Sequence, residues 1–228
     1  MRSIPALFFL LIVLIFSACS PNNVTVDNSL EKYFTAQNVT GSFGFFDNGQ
    51  GHFTIYNLSR FRDSAYTPGS TFNIIRDLIG IQTGRLKNEK DTLSSPIGQD
   101  TLKRWLDTLG YNPLKITADE QLGLVKKLYF EQLPFFARTQ QLVVKTMLKE
   151  NNSNYKLSYL VSTGATGNDH TFSWIVGWIE ENKHPYFFVL QTEDLSAEQA
   201  RAAGSTEAKG LAILKEVLKK YEFMEGKR

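Results

Sequence analysis

Residues 172–190 read FSWIVGWIEENKHPYFFVL. Aromatic and β-branched residues fill both halves, and the polar run from Glu180 to His184 divides them. This pattern suits two core strands better than an aromatic stacking surface, because wide, stiff side chains pack well on a pleated sheet. A third strand, YKLSYLVST at 155–163, precedes them across the turn-forming TGNDHT. Upstream, apolar residues recur at helical spacing in four segments. The first runs from Ser70 through Phe72, Ile75, Leu78 and Ile79 to Gly84, and the second, IGQDTLKRWLDTLG, ends at Gly110. The third opens on a Thr117–Glu120 capping box and is broken by Pro134; the fourth is ARTQQLVVKTMLKE at 137–150. Further upstream, VTGSFGFFDNGQGHFTIYN at 39–57 alternates around a turn cluster at Asp47 to Gly51 and reads as an antiparallel hairpin. Downstream, TEAKGLAILKEVLKKYEF at 206–223 is an amphipathic helix with basic residues on its solvent side. Strands at both ends with helices between them predict an α+β fold, one antiparallel sheet carrying helices on its faces.

The 228 residues suffice for one core and are short for two, so residues 30–228 are expected to form a single domain. Lys and Arg number 25 against 23 Asp and Glu, without long runs, which leaves no electrostatic footprint for nucleic acid. His52, His170 and His184 lie far apart without paired spacing, so no metal or other cofactor is expected. Residues 1–18, with Arg2 ahead of an apolar run from Ile4 to Phe16, read as a signal peptide. That run is too short to cross a bilayer comfortably. Cys19 is the only cysteine and follows Ser17 and Ala18, an arrangement that resembles the bacterial lipobox, in which this cysteine carries lipid. The expectation is an exported lipoprotein of a bacterial cell envelope, anchored to a membrane through Cys19, with residues 19–29 as a polar tether.

A second stretch bears on chemistry. YTPGSTFNIIRDLIGIQTG at 66–84 has a serine at the mouth of a helix. Taken with LEKYFTAQNVTGSFGFFD (30–47), LKITADEQLGLVKKLY (114–129), QQLVVKTML (140–148), STGATG (162–167) and the strands at 172–190, it resembles the class D β-lactamases, or oxacillinases, of the penicillin-recognising serine enzymes. The match runs in order through most of the chain beyond the tether. That family's active-site segment typically reads Pro-Ala-Ser-Thr-Phe-Lys. The resemblance therefore implies Ser70 as a nucleophile that attacks a β-lactam carbonyl or a peptidoglycan stem peptide and becomes acylated. Serine is also a good helix cap, and the surrounding match is what gives Ser70 the family position. The resemblance further implies an oxyanion hole from the backbone N–H groups of Ser70 and Ala165. It places Ser162, Thr163 and Gly164 on the Lys-Thr-Gly strand, where with Lys209 of the last helix they would hold the substrate carboxylate.

The departures from that pattern fall on chemistry. Where the family has its basic lysine, three residues after the serine, this chain has Asn73, whose amide takes up no proton and cannot be carboxylated. Ser162 replaces the lysine of the triplet, and Lys209 stands in for an arginine, a point charge for a bidentate fork. Only 43 residues separate Asn73 from Thr117, too few for the family's Ser-x-Val, Tyr-Gly-Asn and tryptophan-loop segments. Neither Ser94 nor Ser95 can be assigned to the missing serine, and Tyr111–Asn112 reads equally as a motif remnant or a turn before Pro113. Asp169 and His170 beside Ser162 read as turn residues and not as a triad. Lys115 and Lys156 are the lysines considered for the space that Asn73 leaves. The expected function is a hydrolytically impaired, penicillin-binding-type protein that binds or scaffolds near peptidoglycan. The alternative is retained acyl transfer through Ser70, as slow hydrolysis or as acylation that stops.

Overall fold

The computed structural model describes residues 23–87, 96–165, 170–194 and 205–226. Cys19, Ser94, Ser95 and Asp169 lie outside the described residues. Seven strands make one sheet in the spatial order β1 (Val24–Val26), β3 (His52–Tyr56), β2 (Val39–Asp47), β9 (His184–Asp194), β8 (Thr171–Glu181), β7 (Tyr155–Ala165) and β6 (Leu148–Asn151). All neighbours run antiparallel except β1, which lies parallel to β3. A separate two-residue ladder joins β4 (Ala65–Tyr66) to β5 (Ile116–Thr117).

The stretch at 172–190 supplies the central hairpin. Asn182 and Lys183, at φ 50° and 68°, form the two-residue connection between β8 and β9. Two successive positive φ values match the right-handed twist of the flanking strands, which is why such short loops select them. The register pairs Trp174 with Gln191, Val176 with Val189 and Trp178 with Phe187. Because strand side chains alternate faces, Trp174, Val176, Trp178, Phe187 and Val189 line one side of the sheet, and Ile175, Ile179, Phe188 and Leu190 line the other.

Helices cover both sides. On the first, α3 (Asn73–Gln82), α5 (Ala118–Tyr129) and α6 (Ala137–Met147) bury Ile75, Leu78, Ile79, Leu122, Val125, Leu128 and Val143 against the strands. Along their rim, α2 (Leu58–Asp63) inserts Phe61 and α4 (Gln99–Leu109) leans the half-buried Leu102, Trp105 and Leu106 on the cluster. On the second side, α1 (Glu31–Ala36) and α7 (Thr206–Lys220) contribute Phe34, Ile213, Leu214, Val217 and Leu218. The fold is α+β, as the order of elements implies. The Thr117–Glu120 capping box forms, and Gly84 and Gly110 end their helices in left-handed backbone.

Four local readings change. The helix expected from Ser70 begins with a 3₁₀ turn at Gly69–Phe72 and becomes α-helical only at Asn73. The third helix stops at Tyr129, before Pro134, because Glu131 turns left-handed at φ 56° and Gln132 N–H bonds back to the Lys127 carbonyl. The fourth helix ends at Met147, and Leu148–Asn151 pairs instead with β7, whose outer edge offers unsatisfied backbone groups. Within the stretch 19–29, expected as a tether, Val24–Val26 joins the sheet beside β3. Asp27 caps the following turn and accepts from Lys220 Nζ at 2.5 Å and Tyr221 Oη at 2.6 Å, which fastens this end of the chain to α7.

A Cβ on Gly177, in the middle of β8, would fall well inside contact distance of the Ser158 carbonyl oxygen on β7. Backbone that is paired on both sides cannot retreat. Gly177→Ala is expected to lower stability by about 1–3 kcal/mol, the cost of overpacking a filled site, measurable as a lower urea midpoint at unchanged slope.

Candidate active site

Ser70 lies in the 3₁₀ turn between β4 and α3, and three groups hold the turn in place. Trp174, fully buried on β8, donates its indole N–H to the Thr67 carbonyl at 3.0 Å. Thr71 bonds the Pro68 carbonyl through both its backbone N–H, at 3.2 Å, and its hydroxyl, at 2.7 Å. From α5, the buried Gln121 donates its amide to that same Thr71 hydroxyl at 2.7 Å. At the end of the turn, Phe72 stacks on Tyr111 with ring centroids 5.8 Å apart. Ser70 is thus exposed on a fixed mount.

Asn73 is the first residue of α3, one turn on from Ser70, and is exposed. A carboxamide there accepts no proton, and solvent around it provides none of the low dielectric that strengthens charge–charge interactions in closed sites. From β7, Ser162 meets the serine turn directly: its Oγ accepts the backbone N–H of Ser70 at 2.6 Å. Ser162 is 2% exposed, whereas Thr163 and Ala165 are exposed and Gly164 half-buried. Ser162 was expected to face the substrate carboxylate. The strand's alternation turns it under the turn instead, and its hydroxyl occupies one of the two N–H groups expected to form the oxyanion hole.

No family model matches this chain. It is 25% identical over 233 residues to a probable β-lactamase, YbxI of Bacillus subtilis (strain 168), covering 81% of this chain and 82% of that protein. To β-lactamase OXA-20 of Pseudomonas aeruginosa it is 26% identical over 254 residues, covering 86% and 93%. Its homologues are class D β-lactamases. Among solved structures, the C-terminal domain of the Bacillus licheniformis BlaR penicillin-receptor superposes with a TM-score of 0.77 at 18% identity, covering 90% of this chain and 99% of that one.

Against the class D pattern, the remaining candidates separate. Lys209 does not reach toward a carboxylate ligand; it is 2% exposed and donates to Asp194 Oδ1 at 2.5 Å. Asp194 Oδ2 accepts from the hydroxyls of Thr171 and of Thr206, the latter at 2.8 Å. An amine enclosed with its counter-charge is committed to it. Lys156 pairs with Glu180 at 3.0 Å, six residues along β7 from Ser162, about 20 Å at strand rise, so it supplies no base to Ser70. Lys115 is exposed on the segment before β5, where its N–H and that of Leu114 bond Asn112 Oδ1. That geometry settles Asn112 as a turn residue. Tyr111 forms a wall of a cavity of about 220 Å³ with Leu109, Ile116, Leu124 and Leu133, and burial, with the Glu120 charge adding to it, holds its hydroxyl above the usual range. Among the described residues no group of three or more His, Cys, Asp or Glu gathers as a metal site, and no helix is long and apolar enough to cross a membrane.

One cluster escaped the sequence reading. Arg60 of α2 donates Nε to Gln191 at 2.9 Å, Nη1 to Thr40 at 3.2 Å and Nη2 to Glu193 at 2.5 Å, and Glu193 also accepts from Tyr66 Oη at 3.1 Å. His170 Nδ1 lies 3.5 Å from the other Glu193 oxygen. The cluster pins Tyr66, four residues before Ser70, to the end of β9. Its partners lie up to 133 residues apart in sequence, and no local pattern announces them.

The Lys209–Asp194 pair sets a stability signature. Burial by itself would raise the Asp194 carboxyl, but donors from Lys209, Thr171 and Thr206 outweigh it and hold the group below the usual carboxylate range. The folded state therefore binds this proton less readily than the unfolded chain, so the contribution is present above the ordinary carboxylate range and is lost as pH falls below it. Lys209→Met, which strands a buried carboxylate, is expected to cost about 3–5 kcal/mol at neutral pH. Asp194→Asn should flatten the fall in stability that sets in as pH drops below the ordinary carboxylate range, followed by urea denaturation across pH.

Proposed function

We propose that this chain is a penicillin-recognising protein of class D β-lactamase type that binds β-lactams or peptidoglycan stem peptides at the exposed Ser70 turn without efficient turnover. The observation that carries the reading is Asn73, exposed at the position from which a base would serve Ser70. A general base is worth about 10² to 10⁴ in rate, and both acylation and deacylation need one. Lys209, buried against Asp194, and Lys156, paired with Glu180, supply no substitute. Similarity to a domain described as a penicillin receptor supports recognition as the surviving role. Exported through residues 1–18 and lipidated at Cys19, the protein would work as a binding or scaffolding element at a bacterial envelope membrane.

A second reading has its own observation. Ser70 is exposed on a turn held by Trp174, Gln121 and its own Thr71, which favours an acyl-transfer centre that reacts once and stops. Two measurements decide between them. Purified mature protein is expected to hydrolyse nitrocefin no faster than Ser70→Ala; rapid turnover abolished by Ser70→Ala would overturn the leading proposal. Prolonged incubation with a fluorescent penicillin is expected to leave the intact mass unchanged, whereas a stable adduct absent from Ser70→Ala would establish the stalled enzyme. Metabolic palmitate labelling in a bacterial host is expected for the full chain and is expected to vanish in Cys19→Ala.

A further inference from the structure

Two departures from the family pattern, distant in sequence, meet in space. Gly69 occupies the position where Pro-Ala-Ser-Thr-Phe-Lys has alanine, and Ser162 occupies that of the triplet's lysine. Gly69 has a φ of 55°, in the left-handed region that L side chains rarely adopt. A Cβ built on it would sit well inside contact distance of Ser162 Oγ and 3.6 Å from Ser162 Cβ. Glycine at 69 is therefore what admits the Ser162 hydroxyl to the underside of the turn. Once admitted, that hydroxyl accepts the Ser70 N–H at 2.6 Å, with Ser162 almost wholly buried.

A backbone N–H has one proton to give. The Ser70 N–H is one of the donors that an acyl carbonyl turning into an oxyanion requires, and such a donor is worth roughly 10² to 10³ in rate where it has been removed elsewhere. We infer that Ser162 is a built-in latch: its hydroxyl occupies the Ser70 N–H in place of a ligand oxyanion, and Gly69 is the residue that makes room for it. A residue at 162 with carbon in the γ position, lysine included, has no acceptor there and would leave the donor free. Loss of the triplet's lysine thus removes a cation and also installs a competitor for the anion site. An incoming carbonyl or boronate must break the Ser162 bond before it gains its own. The inference rests on the reading of Ser70 as the reactive position, but the latch itself is a property of the free protein.

Two kinds of measurement separate the latch from that reading. In ¹⁵N-labelled mature protein the Ser70 amide is expected to be protected from hydrogen exchange, and Ser162→Ala should lower its protection by about tenfold or more, while the Thr71 amide, bonded to Pro68, keeps its own. Unchanged Ser70 protection in Ser162→Ala overturns the latch. Phenylboronic acid tests the chemistry: a bond forms between Ser70 Oγ and boron, the serine proton passes to water, and the resulting anionic boronate seeks the freed N–H. Ser162→Ala is expected to bind it at least about tenfold more tightly than the wild type, the scale of one oxyanion donor. Equal affinity in the two proteins, both sensitive to Ser70→Ala, overturns the latch. No binding to either protein, with the exchange result as expected, supports the latch and counts against reactive Ser70. If Ser162→Ala proves unstable, Ser162→Cys decides: a thiol fills the same space but is a weak acceptor, so Ser70 amide protection is expected to fall in it as well, and unchanged protection overturns the latch.

Discussion

Trp174 fastens the core to the candidate site. Its indole is enclosed on the side of β8 that α3, α5 and α6 cover, and a buried indole N–H must find an acceptor. The acceptor is the Thr67 carbonyl, three residues before Ser70, so the strand that organises the sheet also fixes where the serine turn begins. Gln121 completes the arrangement from the opposite direction by way of Thr71. The turn therefore inherits the rigidity of the core on two sides. None of these fasteners is a group to which the class D pattern assigns chemistry, so departures from that pattern around Ser70 leave the mount intact.

The departures from the class D pattern share one physical character. Asn73 and Ser162 each replace a group that carries or accepts a proton with one that is neutral at all ordinary pH, and Lys209, the cation that the family pattern would aim at the ligand, is neutralised by a buried partner. The side chains that bond to the serine turn from β8, α5 and β7, those of Trp174, Gln121 and Ser162, are uncharged hydrogen-bonding groups. Solved class D β-lactamases share the sheet and its flanking helices with this chain.

Legibility in the sequence followed the range of the forces involved. The central hairpin, the 39–57 hairpin and the helices at 73–82, 99–109 and 118–129 are written in local period and in caps such as Thr117–Glu120. The edge strands β1 and β6 were not, since Val24–Val26 and Leu148–Asn151 become strands by borrowing the free edges of β3 and β7. In the site, the motif around Ser70 marked the turn that carries it, with Asn73 as the first residue of the helix that follows. The inward aim of Ser162 and the burial of Lys209 depend on strand phase and on a carboxylate fifteen residues away, and only the folded chain brings these together. The Arg60–Glu193 cluster, with partners across the chain, lay wholly beyond a local reading.

The strand formed by Val24–Val26 also limits how far the domain could stand from a membrane. Only Ser20 to Asn23 separate Cys19 from β1, so a lipid on that cysteine would leave a leash of at most about 18 Å in full extension. β1 is the outermost strand of the sheet, and five interstrand steps, about 24 Å, separate it from β7 beneath the serine turn. A domain so held would be pinned at one rim and lie close to the bilayer. Its range of orientations would then be narrow, and a partner would have to approach in the thin layer of space next to the lipid headgroups.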